Sequence, residues 1–164
     1  MRFFTTLLFV FMSALIAKAY DFESNGIYYN ILSSTDKTVE VTYEGNKKYS
    51  GDIVIPTTVN LNGKELTVVA IGKSAFSGCD KLTDVVIGDG VETIGVAAFA
   101  SCPNLANVTI PDTVTTFGNN AFNSCTSLKD VYYLGTEEQW TDIKKSSSSI
   151  SGDSLSRATI HYLG

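Results

Sequence analysis

The sequence predicts a mainly β repeat solenoid, and three observations support that prediction. First, the pattern (Ile/Phe)-Gly-x-x-Ala-Phe-x-x-Cys occurs three times, with matching residues 23 positions apart, at Ile71–Cys79, Ile94–Cys102 and Phe117–Cys125. Second, each copy continues through a Leu, a Val and a third apolar residue, as in residues 82–87. Third, a period of about 20–29 residues with L-x-x-L-x-L spacing is typical of a leucine-rich repeat solenoid.

Each copy is expected to supply one short strand followed by a turn. Val85 and Ile87 lie two residues apart, which is the spacing of side chains on one face of a strand. Strands of successive copies should stack roughly 4.8 Å apart and share one continuous core. The Gly-x-x-Ala-Phe stretch is too short for a long helix. We therefore expect one or two helical or 3₁₀ turns on the convex side, with the Phe in the core and the Gly in a tight or left-handed backbone.

The residues from Val108 to Leu128 read VTIPDTVTTFGNNAFNSCTSL. They resemble the BspA-like leucine-rich repeat family of bacterial cell-surface proteins, whose pattern is V-x-I-P-x-x-V-x-x-I-G-x-x-A-F-x-x-C-x-x-L. Phe117 replaces Ile in this copy. The resemblance covers residues 50–134 directly. It implies a surface or secreted role, with adhesion to host proteins or to other microbes as the recurrent activity.

Residues 1–19 are interpreted as a secretory signal peptide. An apolar run from Phe3 to Ala17 follows a basic start, and Ala17-Lys18-Ala19 fits a cleavage site. A membrane anchor is the alternative, but about 15 apolar residues are few for a spanning helix. We expect Sec-dependent export to the periplasm, the cell surface or the medium, without membrane insertion after cleavage. Loss of Arg2 and Lys18 makes the net charge of −5 more negative, which disfavours a nucleic-acid partner.

Residues 20–49 are predicted to form an N-terminal β cap. Ile27–Leu32 and Thr38–Tyr43 are rich in β-branched and aromatic residues, and turn-forming residues separate them. We expect this hairpin to cover the first strand edge and the open core of the repeats. The repeats occupy residues 50–134, and their degenerate first copy contains a hairpin insertion with the turn Asn62-Gly63. The insertion is either a tolerated surface feature or a protrusion that contacts a partner.

Residues 135–164 are predicted to form a C-terminal cap. Thr136 is a good N-cap for a helix that ends near Lys145, and Trp140 and Ile143 share the face expected to lie over the last repeat. A Ser-rich loop over residues 146–152 should lead to a closing strand at 158–163.

The sequence predicts no enzyme, no metal site and no cofactor. Cys79, Cys102 and Cys125 occupy one repeat position, so we expect a ladder of buried free thiols. Stacked neighbours are close enough to leave a disulfide open as the alternative. The only histidine, His161, is expected in the closing strand on the face opposite Ile160, far from the buried cysteines that it would have to activate.

The predicted function is protein binding by the concave face of the stacked strands. The residues that alternate with core positions form an acidic or amide column beside an apolar and hydroxyl column. These residues are Asp52, Val54, Asp84, Val86, Asn107, Thr109, Asp130 and Tyr132.

Tyr132 is the expected anchor, since binding hot spots are enriched in Tyr, and the aspartates favour a basic segment of a protein partner. That partner would be a host extracellular protein or a microbial surface protein. A structural or self-associating surface component without a specific ligand is the alternative. Triads that contain Thr113 and Ser154 also resemble an O-glycosylation pattern.

Overall fold

The computed structural model describes residues 19–45, 48–146, 150 and 153–164. The predicted signal peptide, apart from Ala19, lies outside these residues, as does most of the Ser-rich loop. The described residues form twelve strands, one α-helix (α1, Glu137–Ser146) and a 3₁₀ helix at Ser154–Ser156. The protein is therefore mainly β, as the sequence predicts.

Five strands form a parallel sheet in the order β12-β11-β9-β7-β4. Their bounds are β4 Ser50–Ile55, β7 Lys81–Ile87, β9 Asn107–Ile110, β11 Asp130–Tyr133 and β12 Thr159–Tyr162. The strands stack in the register that the repeat implies, with Val85 opposite Val108 and Val108 opposite Val131. The closing strand adds a fifth parallel member, with Ile160 opposite Val131. The sequence led us to count about four strands in this stack, because the closing strand was assigned to a separate cap.

A second sheet, which the sequence analysis did not predict, has seven strands. It follows the path β1-β2-β3-β6-β8-β10, and β5 pairs with β6 beside that path. Its members are β1 Phe22–Ser24, β2 Ile27–Ser33, β3 Thr38–Thr42, β5 Thr58–Leu61, β6 Lys64–Ile71, β8 Thr93–Ile94 and β10 Thr116–Phe117. Two-residue strands such as β8 and β10 are too short to show a two-residue periodicity, so only their pairing across repeats reveals them.

The core contains the apolar repeat positions, in equivalent layers from one copy to the next. Phe76, Phe99 and Phe122 are fully buried. Their rings stack in series, with centroids 4.8 Å apart for the first pair and 4.9 Å apart for the second, and nearly parallel planes. This spacing matches the distance between neighbouring strands. The Phe of each copy therefore occupies the core as predicted.

The segments 73–78, 96–101 and 119–124 are successive turns, and the predicted helical or 3₁₀ segments are not formed there. Each segment has backbone bonds from residue i+3 to residue i, such as Ala98 N to Gly95 O at 3.2 Å. Each also contains residues with positive φ, such as Ala97 at 53° and Ser101 at 58°. A left-handed residue interrupts a helix, so the chain reverses direction through linked turns instead.

The repeat glycine does not adopt a left-handed backbone, which was one of the two roles predicted for it. Gly72, Gly95 and Gly118 do not have a positive φ. A Cβ at Gly95 would lie 2.8 Å from the Ile71 carbonyl oxygen, and a Cβ at Gly118 would lie 2.3 Å from the Val96 nitrogen. The glycine is therefore needed because the backbones of consecutive copies pass too close for any side chain.

The N-terminal hairpin forms as predicted, with Tyr29 opposite Val41, but it extends the second sheet. Strand β3 pairs in parallel with β6, while β4 remains at the edge of the five-stranded sheet. The hairpin therefore covers the first-copy edge of the second sheet, whereas the β4 edge of the five-stranded sheet is not covered by it. The hairpin does reach the end of the core through Tyr49, which follows it in the chain. The ring centroids of Tyr49 and Phe76 are 4.5 Å apart, and the Tyr49 hydroxyl accepts a bond from Tyr28 N of the hairpin.

The insertion in the first copy is a hairpin around the predicted turn, and its strands pair with Val59 opposite Leu66 and Leu61 opposite Lys64. Asn62 and Gly63 have φ values of 52° and 81°, as a tight two-residue turn requires. The same strand β6 also pairs with β3 and β8. The insertion is therefore part of the second sheet.

Helix α1 begins with a reciprocal cap. Gln139 N donates to Thr136 Oγ1 at 3.2 Å, and Thr136 N donates to Gln139 Oε1 at 2.7 Å. Trp140 and Ile143 are buried, and Trp140 contacts the rings of Phe117 and Tyr133 at centroid distances of 5.9 and 5.0 Å. The helix therefore lies against the last copy of the repeat. The domain boundaries at residues 19, 49 and 134 stay predictions.

A buried aspartate ends the hydrogen-bond ladder of the turns. Phe76 N donates to Ala98 O, and Phe99 N donates to Ala121 O, both at 2.7 Å. The N–H of Phe122, the Phe of the third copy, donates instead to Asp153 Oδ2 at 2.7 Å. The Asp153 side chain thus replaces the carbonyl that another repeat would supply.

Candidate protein-binding surface

The eight predicted site residues lie together on one side of the five-stranded sheet, and we call them the outer face. They are Asp52, Val54, Asp84, Val86, Asn107, Thr109, Asp130 and Tyr132. They alternate along their strands with the core positions, so the sequence pattern alone assigned them to this side. Val54 and Val86 are 66% and 41% exposed, which is unusual for valines in a sheet. The remaining members are exposed or half-buried.

The polar column of the outer face is ordered by bonds between neighbouring strands. Thr83 Oγ1 donates to Asp52 Oδ1, and Asn107 Nδ2 donates to Asp84 Oδ1, both at 2.6 Å. Each carboxylate uses Oδ1 in these contacts, which leaves Oδ2 without a partner among the described residues. The aspartates therefore have a fixed direction and a free acceptor oxygen.

The apolar column continues from strand to strand in one register. Val54 is opposite Val86, Val86 is opposite Thr109, and Thr109 is opposite Tyr132. The two valines lie at one end of this column, on β4 and β7. The aromatic side chain lies at the other end, next to β12.

His161 adjoins the outer face and was missed as a site residue. It lies opposite Tyr132, and the two rings stack with centroids 4.8 Å apart and planes 16° apart. Its Nε2 is 2.7 Å from Asp130 Oδ1. The alternation of the closing strand already placed His161 opposite Ile160. The contact between His161 and Tyr132 could not be predicted, because a long connection that includes α1 separates β12 from β11 in the sequence.

The three cysteines are buried free thiols, as predicted. Cys102 Sγ donates to Phe76 O, and Cys125 Sγ donates to Phe99 O, both at 3.0 Å. The neighbouring Cys125 thiol and burial raise the pKa of Cys102 to about 12. Hydrogen bonding with Cys102, followed by burial, raises the pKa of Cys79 still further, while the same contact with Cys102 lowers the pKa of Cys125. The ladder packs the core and is not presented to a substrate.

The two hydroxyls of the predicted glycosylation triads are engaged inside the fold. Thr113 Oγ1 donates to Val91 O at 2.8 Å and accepts from Gly90 N at 3.2 Å. Ser154 is 2% exposed, and its hydroxyl accepts a bond from Arg157. Neither hydroxyl is free for a glycosyltransferase in the folded chain.

By class, this chain is a leucine-rich repeat protein. The BspA type leucine rich repeat region is matched in six copies over residues 57–161, which is more than half of the chain. The chain therefore belongs to the BspA type leucine-rich repeat family. The match extends beyond residue 134 and includes part of the closing strand, which continues the parallel stack.

Two solved bacterial proteins are similar in structure. One is a leucine-rich repeat protein from Bacteroides capillosus, with 25% identity, a TM-score of 0.64, and coverage of 87% of this chain and 98% of the other. The second is a leucine rich cell surface protein from Faecalibacterium prausnitzii, with 28% identity and a TM-score of 0.58. That match covers 71% of this chain, which spans only 33% of the F. prausnitzii protein. No curated protein matches the sequence.

In the part of the chain that the structure describes, no helix combines the length and the apolar character needed to cross a bilayer.

Proposed function

We propose that this protein is a non-enzymatic protein-binding module, secreted or held at the cell surface, whose outer face binds a basic segment of a partner. One observation supports this most directly. An ordered column of acidic side chains lies beside a column that exposes two valines and a tyrosine. A surface of this kind offers both apolar contact area and directed acceptors for Lys or Arg.

The division of the outer face suggests how the partner is held. Tyr132 stacks on His161, so its ring is already restrained before binding, which reduces the entropy lost on association. The Oδ2 atoms of Asp52 and Asp84 are available to cationic side chains. Long-range attraction by these aspartates would speed encounter at low salt. Adhesion to a host or microbial surface protein is the role that best fits these features in a chain of this family.

The test is a binding titration against a partner identified by crosslinking to host extracellular matrix or to neighbouring bacterial cells. Val86→Ser and Tyr132→Ala should each weaken binding by about tenfold or more, because each removes apolar contact area that the face offers to a partner. Asp84→Lys should lower the association rate and reverse its dependence on salt.

Val96→Ser is the matched control. Val96 is 43% exposed, almost the same as Val86, but it lies on the turn at 96–101. It should bind like the wild type. If Val96→Ser weakens binding while Val86→Ser and Tyr132→Ala do not, the interface lies on the turns and the outer face is the wrong surface.

A further inference from the structure

A groove of about 270 Å³ lies between two β-hairpins of the seven-stranded sheet, β2–β3 and β5–β6. We call it the hairpin groove, and its lining residues are Ile31, Ser34, Lys37, Leu61, Lys64 and Leu66. The N-terminal hairpin β2–β3 contributes the first three, and the insertion hairpin β5–β6 contributes the rest. Strand β3 pairs with β6 only from Thr67 onward, so the start of β6 borders the groove without a strand on that side.

The hairpin groove is apolar with a basic rim. Ile31 is 39% exposed and Leu61 is partly buried, so the core reaches the surface here. Lys37 and Lys64 are both exposed, and neither ammonium group has an ion-pair partner among the described residues. None of the described residues that line the groove carries a carboxylate. In a chain of net charge −5, this is a local surface that favours an acidic and apolar occupant.

The chain itself carries a surface of that complementary chemistry. The β4–β7 part of the outer face, which we call the acidic strip, consists of Asp52, Val54, Asp84 and Val86. Val54 is the most exposed large apolar residue in the described part of the chain. It lies on β4, the edge strand of its sheet, so a second molecule can approach it from the side.

We propose that the hairpin groove of one molecule binds the acidic strip of a second copy, with Val54 entering the groove and the aspartates facing Lys37 and Lys64. This inference rests on the proposed function, since it uses part of the same outer face. The contact is heterologous, because two different surfaces meet. Each joined pair therefore keeps one free groove and one free strip, and further copies can add head to tail.

The size and charge of the two surfaces determine how strongly two copies should associate. A groove of about 270 Å³ accommodates only one or two aliphatic side chains, whereas a stable complex buries roughly 800 Å² per partner. Association should therefore be weak and concentration-dependent. It should also weaken with added salt, since the ionic contacts are at the surface.

Sedimentation equilibrium over a range of concentrations tests the proposal. The apparent molecular mass of the wild type should rise with protein concentration at low salt and return to the monomer value at high salt. Lys37→Asp with Lys64→Glu disables the groove, and Asp was chosen because Lys37 has a φ of 56°, which Asp tolerates better than Glu. Asp52→Lys with Asp84→Lys disables the strip. Each double variant should remain monomeric, with unchanged circular dichroism.

Mixing the two double variants provides the decisive measurement. The lysine strip of one variant then meets the acidic groove of the other, and the remaining native strip and groove also fit each other. The mixture should regain the association that each variant alone has lost. Lys73→Glu with Lys144→Glu changes the net charge by the same amount as the groove variant at exposed sites elsewhere, and it should associate like the wild type.

Three results would overturn this inference. They are a wild-type chain that stays monomeric at all concentrations, variants that still associate, and a mixture that stays monomeric although both variants are folded. Binding of an acidic, apolar peptide by a monomeric wild type would assign the groove to a different protein. The groove variant keeps an intact outer face, so it should still bind the basic partner. A wild-type chain that stays monomeric and still binds the basic partner would therefore contradict the proposed self-association but not the proposed function.

Discussion

Replacement of Asp153 should show how the repeat ladder is terminated. Asp153 is 3% exposed, and its carboxylate accepts bonds from Phe122 N at 2.7 Å and Leu155 N at 3.3 Å. Asp153→Ala leaves the buried Phe122 N–H without an acceptor, which costs about 1–3 kcal/mol. It also removes the cap of the 3₁₀ helix at Ser154–Ser156, which is typically worth about 1 kcal/mol.

The net loss should be smaller than the sum of these two effects. Burial of the carboxylate is itself unfavourable, and alanine removes that penalty. We expect Asp153→Ala to lower the free energy of unfolding by about 2–3 kcal/mol, measured by equilibrium urea denaturation. Asp142→Ala is the control, since Asp142 is an exposed residue of α1 that pairs with the exposed Lys145, and its replacement should change stability little. A loss below about 0.5 kcal/mol for Asp153→Ala would refute the idea that its side chain replaces a repeat carbonyl.

The pH dependence of stability gives a second measurement on the same residue. Burial raises the pKa of Asp153, and the amide donors oppose this. Since the folded-state pKa is above the unfolded value, the group's contribution is full below the unfolded pKa and is lost as the pH rises through the folded pKa. The stability of the wild type relative to Asp153→Asn should therefore fall as the pH rises from about 4 towards neutrality. A wild type that gains stability relative to Asp153→Asn over this range would reverse the sign of the argument.

Three further predictions concern the repeats. Phe99→Ala should lower the free energy of unfolding by about 3–5 kcal/mol, because it empties the middle of the Phe76–Phe99–Phe122 stack, and a loss under about 1 kcal/mol would contradict this. Gly95→Ala should destabilise by about 1–3 kcal/mol through the clash with the preceding copy, whereas Ala97→Gly should stabilise by about 0.5–1 kcal/mol because Ala97 is left-handed. Thermal melts that rank these two variants the other way would disprove the assigned backbone roles. The three thiols should react with a thiol reagent only after unfolding, and rapid labelling of the native protein would show that they are accessible.

The predictions that succeeded rest on patterns within one copy of the repeat. The alternation around Val85 assigned Asp84 and Val86 to the exposed side, and the three-fold recurrence of Cys and Phe assigned them to the core. The capping box at Thr136 and the Asn62-Gly63 turn are also local signals. In each case a few adjacent residues contain the physical cause, so the sequence is sufficient.

The predictions that failed depend on contacts between copies. A left-handed backbone was one of the two roles expected for the glycine, yet Gly95 is required by the approach of the Ile71 carbonyl, which is 24 residues earlier in the chain. The second sheet was missed because β8 is two residues long and is stabilised only by its neighbours. The N-terminal hairpin was recognised as a hairpin, but its alignment on β6 could not be inferred from its own residues.

By itself, the sequence determined the period, the side of each repeat strand that faces the core, and the family. Those properties follow from the spacing of apolar residues along the chain. The tertiary structure decided which surfaces are adjacent. It placed His161 on Tyr132, Asp153 at the amide of Phe122, and Lys37 and Lys64 of two hairpins around one groove. These pairings join segments that are far apart in the chain. Their positions depend on the packing of the whole core, which a local sequence pattern does not predict.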